Sequence, residues 1–504
     1  MRKLERSFIT IITPNIVSQK NDVAGSGIPY VPISAIYTAT YLKSKGFQVK
    51  VIDSFGENPW KVVVEGDFLV QGLGLNEIVK KVPKVTKVIL TYAAQVITHS
   101  VHLRIIKRLK EEFPKVPIVV MENSQSVVAY SLENNEVVKD FFKAGVDFIV
   151  VGEGEERCLS LIRGIKNGKI GGIDGLIYKK GGKIIKNRKN GFILDLDKIP
   201  FPDWSLIPIE NYWKIGYAHA PVEGRYLPIL SSRGCPGNCE FCIIPKTNSC
   251  RWRARSAKNV VDEIENNLKT LRVKEYHFED LNPTVSKDRM IEISKEILNR
   301  KLKVIWKFAA GTKIETLDEK TMKWMVRAGC RYISISPESG SNRVLSLMKK
   351  HFDHKHALRM IKLMDELEVT SQACFVLGFY GENANDKRLT CEYVKEVVKA
   401  GIDEVALFIM APLPGARAFA KEKGYKGFSQ ITFSPIWRER YGQINKYRWT
   451  LFLKFVIWQI IYYPKKVFEK GVAFLTRKFK TKIEMTLWRI IKIRFWCYKN
   501  KFNK

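Results

Sequence analysis

The sequence predicts an α/β protein with three parts: a doubly wound parallel-sheet domain, a partial (β/α)6 barrel, and a basic helical C-terminal region. Three observations carry this. Short β-branched runs alternate with amphipathic helical stretches in two separate sets. The 504 residues, 45% hydrophobic and 27% charged, suit two or three cored domains better than one. Positive charge is concentrated at one end of the chain. Gly and Pro, at 33 and 20 residues, are too few for a collagen-like or low-complexity chain.

Residues 7–13 are apolar and β-branched and read as a first buried strand, too short and polar for a signal peptide. A small-residue loop from Gly25 to Pro32 leads to a helix over 33–45, with Ile33, Ile36, Tyr37, Thr40 and Tyr41 at helical spacing and Gly46 as its stop. Strands follow at 47–53, 88–92, 118–121 and 148–152, with helices over 99–113 and 135–144 between them. Such alternation predicts a parallel sheet covered on both faces, with ligands beyond the C-terminal strand ends. This first domain spans 1–163. Residues 164–225 read as a linker with a small β excursion, since 164–191 is dense in Gly and Lys and 199–204 is stiffened by proline.

A second alternating set fills 226–425. Strands are expected at Ile229 and over 274–278, 303–308, 331–335, 370–377 and 403–409; helices over 256–271, 287–300, 318–328, 354–367 and 386–400. Six such repeats fit an incomplete barrel, whose chemistry belongs at the C-terminal strand ends. Residues 426–504 form the basic helical region.

The chain has 85 Lys+Arg against 51 Asp+Glu, a net charge of +34, which favours polyanionic partners. Residues 441–504 hold 16 Lys+Arg against Glu469 and Glu484, so +14 sits in the last 64 positions. Nine cysteines, three of them clustered, suggest a reduced cytoplasmic compartment. No run reaches the ~18–20 apolar residues of a membrane span.

The sharpest signal is Ser232-Arg-Gly-Cys235-Pro-Gly-Asn-Cys239-Glu-Phe-Cys242, three thiols within eight positions just after the first barrel strand. Thiolates bind zinc or iron–sulfur clusters. Structural zinc takes four protein ligands, and Cys250 could supply a fourth. A CxxxCxxC loop with an aromatic before its last Cys, opening a (β/α) repeat, resembles the radical S-adenosylmethionine (SAM) superfamily. The resemblance implies that Cys235, Cys239 and Cys242 hold three irons of a [4Fe–4S] cluster. SAM would take the fourth iron and be cleaved reductively to a 5′-deoxyadenosyl radical. It also implies SAM contacts from Phe241, from Glu279 of the Phe278-Glu279-Asp280 segment, from Ser336 and Glu338 after the fourth strand, and from Gly378 after the fifth. A one-electron reductant such as ferredoxin or flavodoxin is implied as partner.

Gly27-Ile-Pro-Tyr-Val-Pro32, Gly46-Phe-Gln-Val, Asp53 and Val150-Val-Gly152-Glu-Gly154 resemble the cobalamin-binding domains attached to such enzymes. Tyr92, Glu122, Gly152, Glu153 and Gly154 are the implied cobalamin residues. No DxHxxG motif is present, and Glu122 and Asn123 stand where relatives often carry glycines, so their side chains would crowd a corrin. His99 and His102 read as core or surface residues rather than metal ligands.

In the tail, 449–463 is apolar but interrupted by Lys454 and Gln459 and ended by Pro464; beyond it, aromatic and aliphatic residues mix with Lys and Arg. This suits an interfacial membrane element. A helical cap over the barrel is the alternative, and nucleic acid is the least favoured partner. The expected activity is functionalisation of an unactivated carbon of an apolar, lipid-type substrate, by methyl transfer or by C–C bond or ring formation, at the inner face of the cell membrane. A soluble small-molecule substrate and a metal-stabilised membrane scaffold are the alternatives.

Overall fold

Parallel strands sandwiched between helices must bury both faces, and the first strand does so. In the computed structural model, which describes residues 7–421, 424–432 and 434–502, Ile11 and Ile12 of β1 (Phe8–Thr13) are both buried but enter different cores on opposite faces of the sheet. The chain continues through β2 (Ile16–Gln19), α1 (Ile33–Ser44), β3 (Gln48–Asp53), β4 (Val62–Glu65), β5 (Phe68–Gln71), α2 (Leu75–Lys81), β6 (Thr86–Ala93), α3 (His99–Glu112), β7 (Ile118–Glu122), α4 (Asn135–Ala144), β8 (Phe148–Val150), α5 (Gly154–Asn167), β9 (Leu176–Lys180) and β10 (Lys183–Lys186). The sheet order is β10-β9-β8-β7-β6-β1-β3. From β8 to β3 the pairs are parallel, and α1 and α5 cover the face opposite α2, α3 and α4. The β excursion read between 164 and 191 is the β9–β10 hairpin, which pairs antiparallel with β8. The first sheet therefore runs past residue 163.

A three-stranded sheet, β2-β5-β4, had no counterpart in the sequence reading. Its strands are four residues each, too short for alternation to declare itself.

After α6 (Ile209–Ile215) come β11 (Tyr226–Ile229), β12 (Ser232–Gly234), α7 (Ile244–Asn248), β13 (Trp252–Ala254), α8 (Ala257–Leu271), β14 (Glu275–Phe278), α9 (Lys287–Asn299), β15 (Ile305–Thr312), α10 (Glu319–Arg327), β16 (Cys330–Glu338), α11 (Asn342–Leu347), α12 (His354–Glu366), β17 (Thr370–Leu377), α13 (Ala384–Lys399) and β18 (Glu404–Ile409). Strands β11-β14-β15-β16-β17-β18 pair in parallel in that order, giving the expected six-stranded open barrel. Helix starts follow local chemistry: Ser256, Ser286, Asp318, Ser341, Asp353 and Asn383 each accept a hydrogen bond from a backbone N–H of the first turn.

The tail forms α14 (Tyr441–Tyr462), α15 (Pro464–Thr476) and α16 (Lys482–Phe502). Pro464 sits in the first turn of α15, where its missing N–H costs nothing. Buried Leu451, Phe455 and Gln459 line the inner side of α14, and Gln459 donates to Ile402 O at 2.6 Å. Helix α16 runs from the second sheet to the first domain, where Ile493 packs with Val23, Val62 and Leu69. Its first N–H groups, on Lys482 and Ile483, donate to the Glu404 carboxylate at 3.1 Å each; Lys482 Nζ donates across the barrel to Ala309 O at 2.8 Å; Arg489 donates to Val23 O at 2.7 Å and Lys492 to Ile215 O at 2.8 Å.

Candidate functional site

The thiol loop is anchored at its root. Strands β12 and β13 pair as an antiparallel ribbon, so residues 235–251 leave and return at one place. Gly234 has φ +81°, and a Cβ there would lie 1.9 Å from Arg251 O. Only glycine fits. Asp280, just after β14, accepts from Ser231 N (3.1 Å), Ser231 Oγ (2.7 Å) and Ser232 Oγ (2.5 Å), fixing the strand that feeds the loop.

Cys235, Cys239 and Cys242 are free and half-buried. The N–H of Gly237 points at Cys235 Sγ (3.4 Å) and that of Ile244 at Cys242 Sγ (3.5 Å). Glu240 between them bonds through its N–H to Met348 O (3.0 Å) and through its carbonyl to Ala418 N (3.0 Å), tying the loop tip to the ends of two barrel repeats. Burial pushes the Cys239 and Cys242 thiols up, and the Lys350 ammonium pulls against it on both. Cys250, offered above as a fourth ligand, directs its thiol at Asn238 Oδ1 (3.7 Å). Among the described residues no group of three or more His, Cys, Asp or Glu is arranged to hold a single metal ion. Three soft donors on one loop, with N–H groups on two sulfurs and the fourth thiol turned aside, fit a three-thiolate cluster site.

Glu338 ends β16 at φ +62°, a left-handed conformation that is strained for a residue with a Cβ and that clusters at functional sites. It pairs with Lys350 at 2.7 Å, both buried, and both act electrostatically on Cys239. Lys350 was missed in the sequence. Ser336 packs on Gly311, whose missing Cβ would fall 2.0 Å from Ser336 Oγ. Gly378 has φ +73° and donates to Glu382 Oε2 at 2.8 Å, while Ile444 of α14 occupies the space a side chain would need. Burial lifts the Glu382 carboxyl to about 7. Phe241 packs half-buried against the barrel core.

Glu279 lies elsewhere, in a cleft of about 840 Å³ between the two domains. Thr13, Asp53, Tyr92 and Asn123 face it from the C-terminal ends of β1, β3, β6 and β7, and His219, Glu279, Leu281 and Ala310 from the barrel. His219 Nδ1 bonds to Glu279 Oε2 at 2.7 Å, and its ring lies 4.6 Å from that of Tyr30. Burial opposes charge on both partners of that bond: His219 is held below its usual range, whereas Glu279 ends below the carboxylate range because the hydrogen bond and charges of His219, His277 and Lys482 together outweigh desolvation. The pair is carboxylate and neutral imidazole near neutrality. His219 carries no local sequence signal; only its pairing with a distant strand end reveals it.

The residues read as cobalamin-facing divide. Tyr92 lines the large cleft and also a smaller cavity of about 300 Å³, where Glu122, Gly152, Glu153 and Gly154 meet Arg233. The Glu122 carboxylate accepts from Leu132 N (2.9 Å) and Gly152 N (2.7 Å), so it is turned into the protein and does not crowd the cleft. Asn123 does line the cleft, with its amide donating to Ala94 O at 3.0 Å. Glu153 bonds Arg253 at 2.8 Å and Arg233 at 3.3 Å, and Glu155 bonds Arg233 at 2.6 Å, clasping the two domains together. Gln125, missed in the sequence, accepts from Gly234 N (3.1 Å) and bridges to Asn248 (3.0 Å), joining the loop after β7 to the thiol loop. His99 bonds Tyr130 and Asp140, and His102 packs buried on Phe141; both are core residues.

Residues 229–394 match the radical SAM superfamily. The chain is 28% identical over 411 residues to an uncharacterized methyltransferase from Pyrococcus horikoshii, covering 81% of this chain and 82% of that one. It is 26% identical over 397 residues to an anaerobic magnesium-protoporphyrin IX monomethyl ester cyclase from Rubrivivax gelatinosus, covering 77% and 65%. The fold is similar to that of the radical SAM methyltransferase TsrM from Kitasatospora setae, solved with cobalamin and a [4Fe–4S] cluster, at a TM-score of 0.64 and 17% identity over 82% of this chain and 77% of that one.

Proposed function

We propose that this chain, a radical SAM enzyme, functionalises an unactivated carbon of an apolar, lipid-type substrate in the cleft between its two α/β domains. When bound, a [4Fe–4S] cluster with SAM supplies a 5′-deoxyadenosyl radical able to take hydrogen from such a carbon, and cobalamin supplies a transferable methyl group. Cys235, Cys239 and Cys242 would hold the cluster. Glu338, Ser336, Gly378 and Phe241 would line the SAM side, with Lys350 neutralising Glu338 and holding the loop electrostatically. Asp280 and Gln125 fix the loop between the domains, so the radical source and the first domain keep one geometry. The first domain would hold cobalamin in the cleft, with Tyr92 and Asn123 at its wall. A ferredoxin or flavodoxin would deliver the electron.

The single observation that carries this reading is the opposition of two sets of C-terminal strand ends across one cleft, since both folds place their ligands there. Ile16, Val31, Ile33, Phe55 and Leu281 in its wall support an apolar substrate over a charged one. The basic, apolar tail supports work at the inner face of a membrane. Methyl transfer and C–C bond or ring formation both remain within the chemistry of the relatives. Anaerobic turnover with a lipid extract tests the proposal. Production of 5′-deoxyadenosine with a product heavier by one methyl supports transfer; loss of hydrogen alone supports ring or crosslink formation. A reduced, SAM-loaded protein that releases no 5′-deoxyadenosine would refute it. A visible spectrum after reconstitution with cobalamin checks the corrin separately.

A further inference from the structure

Resting on the reading that the substrate is a membrane lipid, we infer that the outward sides of α14, α15 and α16 are the docking surface for a bilayer bearing anionic headgroups. Each of these helices carries two apolar sides. The inner ones pack on the barrel and its neighbours: Leu451 and Phe455 in α14, Ala473 in α15, Met485 and Ile493 in α16. The outer ones are exposed. On α14 they are Trp449, Leu453, Ile457 and Ile461, spaced four apart. Phe468, Val472 and Leu475 follow on α15, where Phe468 is 73% and Leu475 80% exposed; α16 adds Leu487, Ile491 and Phe495. Spacings of three and four place each set on one side of its helix. Soluble surfaces scatter single apolar residues; three consecutive stripes are an interaction surface.

Charge selects the occupant. Lys454, Lys465, Arg477, Lys478, Arg494 and Lys499 are exposed among the stripes. The two carboxylates of the tail do not offset them: Glu469 is paired with Lys480 at 2.9 Å, and Glu484 is buried, accepting from Lys480 N at 2.8 Å. An apolar interior under a negative surface satisfies both features, with Lys and Arg stems lying along the apolar layer and their heads at the phosphates. A nucleic acid would leave the aliphatic stripes in water, and a second copy of the chain would set two basic surfaces face to face. Among the described residues no helix is long and apolar enough to cross a membrane, so docking is interfacial.

The test is flotation of the full-length, anaerobically purified protein with vesicles of phosphatidylcholine alone or mixed with phosphatidylglycerol. The protein is expected to float with the mixed vesicles, and to do so less as salt rises. The exposed-site variant L453E/F468E/L475E/F495E should bind at least about tenfold more weakly; K465E/K478E should lose the preference for phosphatidylglycerol while keeping residual binding. Equal flotation of wild type and the quadruple variant, or equal binding to both vesicles, overturns the proposal. So does a dimer broken by the quadruple variant, or retention of RNA, in a protein that floats with neither vesicle. Release of 5′-deoxyadenosine is measured on the same samples. A protein that cleaves SAM but does not float sinks the docking surface and leaves the enzyme; one that floats but never cleaves SAM does the reverse.

Discussion

Replacing Asp280 by alanine should unseat the thiol loop without touching a thiol. The carboxylate accepts three hydrogen bonds, from the Ser231 N–H and from the hydroxyls of Ser231 and Ser232, in a fully buried place. Bonds to a buried charge contribute ~1.5–3 kcal/mol each. The three share one acceptor group and the hydroxyls can turn to other partners, so the total is less than their sum. A loss of about 3–5 kcal/mol is expected for D280A, the range for removing one side of a buried charged network. D280N should cost only ~1 kcal/mol, because its oxygen can serve the Ser231 N–H while the hydroxyls rotate to accept from its amide. The assay is iron and sulfide per chain after anaerobic reconstitution, alongside thermal unfolding. D280A is expected to lose most of the cluster and D280N to keep most of it. Full cluster content and an unchanged melt in D280A would refute the idea that Asp280 sets the loop.

Three further outcomes follow from the same geometry. G234A puts a Cβ against Arg251 O at a left-handed φ and should abolish cluster incorporation; normal loading would show that the β12–β13 ribbon does not hold the loop. R233A leaves the buried Glu155 without its arginine and should cost about 3–5 kcal/mol of stability, partly restored in R233A/E155Q, as read by urea unfolding; additive losses in the double variant would mean the clasp is not a coupled unit. Burial drives the His102 pKa down to about 3, and neither ring nitrogen has a hydrogen-bond partner among the described residues. Between that value and ~6.5 the unfolded chain binds a proton that the folded one does not, so stability is full above ~6.5 and falls by ~1.4 kcal/mol per pH unit as pH drops. H102L should remove about 2 kcal/mol of the loss between pH 7 and pH 5, and an acid limb identical to wild type would count against it.

The barrel was legible because each repeat declares itself locally: strands 330–338 and 370–377 are buried runs, and the helices that follow them open on Ser, Asp or Asn caps. The thiol loop was legible by spacing. What escaped was non-local. His219 gains its meaning from Glu279, sixty positions away, and Gln125 from Gly234 and Asn248. Glu153 looked ligand-facing by resemblance, yet its charge meets Arg233 and Arg253 from the other domain, and Glu155 meets Arg233 beside it. The Lys–Arg-rich tail revealed its composition but not its seat, because an apolar helix side reads the same whether it faces a barrel or a bilayer.

The seating of α16 means the tail is no appendage. The Glu404 carboxylate sits inside the barrel wall and receives its N–H partners from Lys482 and Ile483, while Lys482 reaches Ala309 across the lumen. A chain cut before this helix would remove both backbone donors from the Glu404 carboxylate, leaving it the Tyr332 hydroxyl at 2.6 Å, and would take the Lys482 ammonium out of the barrel. Tail deletions would therefore disturb the barrel itself, and only substitutions confined to the outer stripes can test the proposed docking apart from catalysis.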